Sequence, residues 1–208
     1  MKQKFIVIFG YSGHAFVVLD ACKKSGISLT GYCDKIENVT NNVYDLQYLG
    51  NETAEQFDWN LFDDCVLGIG DNRIRSKVAL MLQEHHKKVL TVIHPSAVIN
   101  DFVSIGNGTL VASNATINPL ASIGEICIIN TGSIIEHECK IGNAVHIAPG
   151  AVLAGNVTVG HNSFIGANSV VRQGISIGDN VTVGAGSIVV KNIPEGEIWA
   201  GNPAKKIK

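Results

Sequence analysis

The residues with the clearest capacity for chemistry are Glu136-His137-Glu138, an imidazole between two carboxylates in a stretch that is otherwise apolar or small. An unperturbed histidine titrates near pH ~6.5, so at neutral pH it is mostly uncharged and able to accept a proton. A nearby carboxylate fixes its tautomer and raises its basicity. Such a group suits the removal of the proton that an ammonium must lose when an amine attacks a thioester. Neighbouring side chains of a strand point to opposite faces. Glu136 and Glu138 therefore cannot both serve the ring unless the chain turns there, and the residues alone leave that choice open.

The other candidates are weaker. His146 follows nine residues later, while His94, His161, His85 and His86 read as structural or solvated. A zinc centre of three histidines is not expected, because His137, His146 and His161 contain no close pair. Cys22, Cys33, Cys65, Cys127 and Cys139 form no CxxC pair, and an odd number of cysteines without a leader reads as reduced thiols in the cytoplasm. Cys127 and Cys139 fall at small, inward positions and make poor nucleophiles.

Two kinds of element must position these groups. Over residues 1–90 strand and helix signals alternate, which predicts a small Rossmann-like parallel α/β domain. Lys4 to Phe9 reads as a buried strand, Gly10-Tyr-Ser-Gly13-His14 as its turn, and Ala15 to Ser25 as a helix. Ser28 to Tyr32 and Cys65 to Ile69 read as further strands, and Arg73 to Lys87 as a second helix after the turn Gly70-Asp71-Asn72. Ligands of such sheets bind at the carboxyl ends of the strands, which brings Gly10–His14, Asp34 and Gly70–Asn72 to one edge. The first turn lacks the full GxGxxG pattern, yet a strand-turn-helix still offers backbone N–H groups to an anion. Asp34 closes the second strand, where a ribose or base contact is commonly made. A nucleotide-linked ligand and a purely structural cap are both compatible with this half.

From residue 91 to 208 the grammar changes. Counting in sixes from Ile93 to Val189, all 17 positions are Ile, Val or Leu, without a slip in register. The next residue is often Gly or Ala (Gly106, Ala112, Gly124), and the fourth after it is usually small (Ala97, Ser133, Ala151). No helix gives a period of six and a plain strand gives two, so a fixed internal repeat marks a solenoid. Composition agrees: 16% charged residues, 46% hydrophobic residues and 22 glycines suit stacked short strands. A net charge of -2 gives no basic face for nucleic acid. The apolar run Phe5 to Phe9 is too short for a signal peptide or a membrane span.

This repeat resembles the left-handed parallel β-helix of the hexapeptide acyltransferases, in which three hexads make a triangular coil and residues 18 apart stack. The resemblance extends to the whole chain through Gly10-Tyr-Ser-Gly-His14, Gly70-Asp-Asn72, Ile93-His-Pro95, Asn130-Thr-Gly-Ser-Ile-Ile-Glu-His-Glu-Cys139 and Ala154-Gly-Asn156. These are similar to bacterial sugar O-/N-acyltransferases of the sialic acid O-acetyltransferase type, and most similar to N-acetyltransferases of nucleotide-linked 4-amino-4,6-dideoxy sugars. The resemblance implies acetyl-CoA as co-substrate, no metal, and a cytoplasmic homotrimer with active sites between prisms. It implies His137 as general base with Glu138 raising its basicity. It implies Ser12, Gly13, His14, Asp34, Lys35 and Asn72 at the nucleotide-sugar, and His146, Ala167 and Ala185 at acetyl-CoA.

Stacking by 18 sets Gly155 above His137, where absence of a side chain leaves room for a thioester and its N–H is a candidate oxyanion donor. Half a coil away, His146 is expected on another side of the prism, as an acyl-CoA contact or a surface residue. It would meet His137 only across a subunit boundary. Lys35 and Asp71 depart from the family pattern, so the base (uracil, guanine or thymine) stays open. The alternatives are an O-acetyltransferase for sialic acid or a related sugar and, more distantly, a non-catalytic sugar-nucleotide-binding protein.

Overall fold

The computed structural model describes residues 5–208. Its first part is a five-stranded parallel sheet in the order β3-β2-β1-β4-β5. The strands are β1 (Ile6–Phe9), β2 (Gly31–Cys33), β3 (Gln47–Gly50), β4 (Asp64–Leu67) and β5 (Lys88–Val89). Lys4, the expected start of β1, lies outside the described residues. Helix α1 is Gly13–Lys24 and α2 is Asn72–Glu84. α2 stops three residues short of the expected Lys87, because His86 turns into the left-handed region at φ 55. The edge strands β3 and β5 were not expected. They are short, and every residue of both is half-buried or exposed, so neither carries a continuous buried apolar run.

The strand order reverses at β1, and the loops after β1 and β4 meet there. The approach is so close that a Cβ on Gly68 would lie 2.5 Å from the Gly10 carbonyl oxygen. Such a switch point is where open α/β sheets leave a crevice.

Seventeen two-residue strands follow, from Val92–Ile93 to Ile188–Val189, all paired in parallel with the strand 18 residues away. The second residue of each dipeptide points inward. Val111, Ile129, Ile147, Ile165, Val183 and their counterparts fill one continuous core. The first residue points outward and gives each side of the triangle its character. On one side, here the domain face, Val92, Leu110 and Ile128 pack with Ala15, Val18 and Leu19 of α1. A second, polar face carries Ser104, Ser122, Lys140, Thr158 and Ser176, all exposed. A third, apolar face carries Val98, Thr116, Ile134, Val152, Val170 and Ile188, none of them fully buried. The chain ends in a hairpin, β6 to β22 being the prism strands, of β23 (Ile198–Gly201) and β24 (Ala204–Lys206), which extends the domain face. Among the described residues no helix is long and apolar enough to cross a membrane.

Candidate active site

The expected site residues fall into three groups. His137 and Glu138 form the turn between the apolar and polar faces. Glu138 takes φ 60, which breaks strand alternation and swings its carboxylate back beside its neighbour. Its Oε2 lies 3.1 Å from Nδ1 of His137. A carboxylate only accepts, so Nδ1 is the donor, and in the neutral ring Nε2 then presents a free lone pair. The imidazole side chain is 51% exposed, open to an incoming reactant. The structure therefore pairs the ring with Glu138 rather than Glu136, whose backbone N–H continues the ladder to the Leu153 carbonyl.

Gly155 stacks on His137, and the ring occupies the space that a side chain at 155 would take. A Cβ on Gly155 would stand 2.5 Å from both Cε1 and Nε2. The Cε1–Nε2 edge of the imidazole thus lies over this glycine, leaning toward the C-terminal coils. Beneath it, the Pro119 carbonyl accepts from the Glu138 N–H at 3.1 Å.

The second group lies at the seam between the α/β domain and the domain face. His146 is not a surface residue: it is 9% exposed, on the strand His146–Ile147. Its ring is 6.1 Å from that of His14 and 5.0 Å, edge to face, from Phe164. Asn130 reaches its Nε2 at 3.0 Å. His146 Nδ1 and His14 Nε2 are both buried without a hydrogen-bond partner. Burial, with the Arg75 guanidinium nearby, pushes His14 down to about 4. The same two causes, with His14 added, push His146 down to about 3. Both rings stay neutral at physiological pH.

Arg75, which the sequence did not single out, organises this seam. It is 1% exposed. Its guanidinium donates to the carbonyls of Ile69 and Gly70 in the loop after β4, and to Ile126 and Ala144 on the prism. It also donates to Asn72 Oδ1 at 2.9 Å. Asn72, expected at the nucleotide, instead sends its amide into the prism, to the carbonyls of Asn162 and Ser163 at 3.1 and 3.0 Å. Its side chain is a clamp between domains. Asp71, expected in the nucleotide site, caps α2 by accepting from the Ile74 N–H at 2.9 Å.

The remaining nucleotide candidates stand just after β1 and β2. Asp34 accepts from the N–H groups of Tyr11 and Lys35, each at 2.7 Å, and so ties the β1 turn to the end of β2. Ser12 and Gly13 are exposed at the start of α1, and the Ser12 side chain makes no capping bond. A cleft of about 360 Å³ opens where Gly70, Asp71 and Arg73 face Phe164 and Thr182. A larger groove of about 520 Å³, between α2 and Asn107, Glu125 and Asn143, contains none of the expected residues.

The third group, Ala167 and Ala185, stacks on the edge between the domain and apolar faces, where the Gly186 N–H donates to the Ala167 carbonyl. One chain therefore keeps His137 on a different edge from Ala167 and Ala185, and away from the domain face that carries His146. The five cysteines are free and buried, and burial raises the Cys127 thiol to about 11. Among the described residues no group of three His, Cys, Asp or Glu side chains is placed to hold a metal ion.

Fold and site together define a hexapeptide-repeat acyltransferase. Residues 5–82 match the PglD N-terminal domain, and residues 156–191 match the hexapeptide repeat of succinyl-transferase. A histidine variant of perosamine N-acetyltransferase from Caulobacter crescentus, in complex with CoA and GDP-perosamine, superposes with a TM-score of 0.90. It is 33% identical over 98% of this chain and 97% of its own. The acetyltransferase domain of PglB from Neisseria gonorrhoeae FA1090, in complex with acetyl coenzyme A, is 29% identical over 99% of this chain and 100% of that one, with a TM-score of 0.89. WeeI from Acinetobacter baumannii AYE is 25% identical over 99% and 100%, with a TM-score of 0.86. No curated protein sequence gives a significant match. The chain belongs to the hexapeptide-repeat sugar N-acetyltransferases, acyltransferases that use acetyl-CoA.

Proposed function

We propose that the chain transfers the acetyl group of acetyl-CoA to the 4-amino group of a nucleotide-linked 4-amino-4,6-dideoxy sugar, with His137 as general base. The observation that carries this is the His137–Glu138 pair, which leaves Nε2 unprotonated and open on the prism edge. The amine attacks the thioester carbon. A C–N bond forms, the C–S bond breaks, and the proton taken from nitrogen by Nε2 passes to the departing sulfur. No covalent enzyme intermediate is needed. The Gly155 N–H is our candidate for the oxyanion donor.

The acceptor assignment is supported by the GDP-perosamine held by the Caulobacter relative, and by the crevice at the switch point of the sheet. In this reading Ser12, Gly13 and the start of α1 face the phosphates, with Asp34 and Lys35 nearer the nucleoside. His14 and His146 border the sugar and thioester, and Ala167 and Ala185 lie along the coenzyme.

The site then needs a second copy, since His137 is on one edge and the coenzyme candidates are on another. The unpartnered apolar face between those edges suits a homotrimer packed on it. Two activated substrates and five unpaired cysteines fit a cytoplasmic setting.

The test is thiol release from acetyl-CoA over a panel of nucleotide-linked amino sugars, with the product examined by NMR. Acetyl on the sugar nitrogen supports the reading. Acetyl on oxygen, or thiol release only with free sialic acid, replaces it with an O-acetyltransferase. Nucleotide-sugar binding without thiol release replaces it with a binding protein.

A further inference from the structure

The groove of about 520 Å³ lies on the third edge of the prism, between the domain and polar faces. That edge carries neither His137 nor Ala167 and Ala185. One wall is α2, where Ser76, Leu80 and Gln83 follow at helical spacing along a single side. The floor is apolar. Val89 of β5 and Ile126 close around Gly108, where a Cβ would stand 2.8 Å from one and 2.9 Å from the other. Ile126 and Ala144 hold left-handed turn positions, at φ 49 and 57, that Asn162 and Asn180 hold in the next coils. Along the groove, apolar side chains thus replace the polar ones of the same column.

The opposite wall is a stack at 18-residue spacing, Asn107, Glu125, Asn143 and His161, with Asp179 one coil beyond. Three members spend an acceptor on the backbone one coil back. The Glu125 N–H donates to Asn143 Oδ1 at 3.0 Å, the Asn143 N–H to His161 Nδ1 at 2.9 Å, and the His161 N–H to Asp179 Oδ1 at 2.7 Å. In the neutral ring of His161 the proton is then on Nε2. The wall keeps the Asn143 amide hydrogens and the His161 Nε2–H as donors and the Glu125 carboxylate as an acceptor, and the Lys88 ammonium also lines the groove. Among the described residues, the Glu125 and Lys88 side chains have neither an ion pair nor a hydrogen bond.

We propose that this groove binds a short, uncharged saccharide. Its pyranose C–H faces rest on Leu80, Val89 and Ile126, and its hydroxyls bond Asn143, His161 and Glu125. The mixed wall argues against simpler occupants. An anion drawn to Lys88 would meet the Glu125 carboxylate, a cation would meet Lys88, and an apolar guest would leave the donors unpaired. A hydroxyl both donates and accepts, so one uncharged polyol serves every group. An apolar floor with a few placed polar groups, at this volume, is the usual make-up of a small-molecule site. Four stacked turns at ~4.8 Å spacing span roughly 14 Å, about the length of a trisaccharide.

The test is saturation-transfer NMR on the full chain, with maltotriose and triacetylchitotriose as probes and citrate as an anionic control. Transfer to at least one trisaccharide is expected. The double variant Leu80→Ala with Glu125→Ala changes two exposed side chains and keeps a strong helix former on α2. It should retain the melting temperature and weaken trisaccharide binding at least ~10-fold. A saturating mixture of GDP, UDP and dTDP should leave the trisaccharide in place. Absence of transfer to both trisaccharides overturns the proposal. Transfer to citrate alone also overturns it and gives the groove to an anion. Displacement by the nucleotides, or unchanged affinity in the double variant, overturns it by moving the saccharide elsewhere.

Discussion

The imidazole of His137 lies against the bare α-carbon of Gly155, in the space where a Cβ would come within 2.5 Å of Nε2. The glycine therefore sets the ring's position. Gly155 does not have a positive φ, so alanine there is tolerated by the backbone and resisted only by the ring. We expect Gly155→Ala to lower kcat ~10²-fold, the scale for a catalytic group displaced by about 1 Å, with KM for acetyl-CoA little changed. In a His137→Ala background the same substitution should cost almost nothing, because its target is gone. Steady-state kinetics on the two singles and the double measures the coupling.

Glu138 holds the other side of the ring. Glu138→Gln keeps the size of the side chain but can satisfy Nδ1 with a neutral oxygen only. Turnover should fall ~10- to 100-fold, as for other partners that orient a working histidine, with the melting temperature close to that of the unaltered chain. Loss of turnover no greater than twofold would remove Glu138 from the mechanism.

The paired imidazoles at the domain seam make stability depend on pH. His14 and His146 titrate near about 4 and about 3 in the folded chain, against an ordinary value of 6.5. Below 6.5 the unfolded chain binds protons that the folded chain refuses, so acid favours unfolding. Stability contributed by neutral His14 and His146 is complete above pH ~7 and lost as pH falls from about 6.5 toward 4, at up to ~1.4 kcal/mol per pH unit for each ring. Melting temperatures between pH 7 and 4.5 should show the fall, and His146→Gln should flatten it.

Much of the architecture is legible in the residues, because the prism's demand is local. One inward aliphatic per six residues, seen from Ile93 to Val189, cannot be met by another fold. The two-part chain follows from the same reading, as does the choice of His137 as the candidate base. Glu138 could not be preferred over Glu136 from strand alternation, since the choice depends on φ at Glu138. Arg75 was hidden for a different reason. On α2 it resembles any solvated helix arginine, and the carbonyls it holds belong to Ile126 and Ala144, 51 and 69 residues away. Asn72 and Asp71 were placed at the nucleotide from their loop alone, without sight of the prism that claims one and the helix that claims the other.

Arg75 also gives a prediction. Arg75→Met fits an aliphatic chain into the same slot but leaves the Ile126 and Ala144 carbonyls unpaired, which should cost about 3 kcal/mol in denaturant unfolding. Arg75→Lys should recover little of it, since one ammonium cannot reach acceptors on a helix, a loop and two prism turns together. Full rescue by lysine would show that charge alone matters at the seam.

The central claim is that Nε2 of His137 takes the proton from the attacking amine. The measurement is kcat for His137→Ala with acetyl-CoA and the best nucleotide-linked amino sugar, on protein whose sedimentation matches the unaltered chain. The account predicts a loss of at least ~10²-fold. A rate near that of the unaltered chain would contradict it.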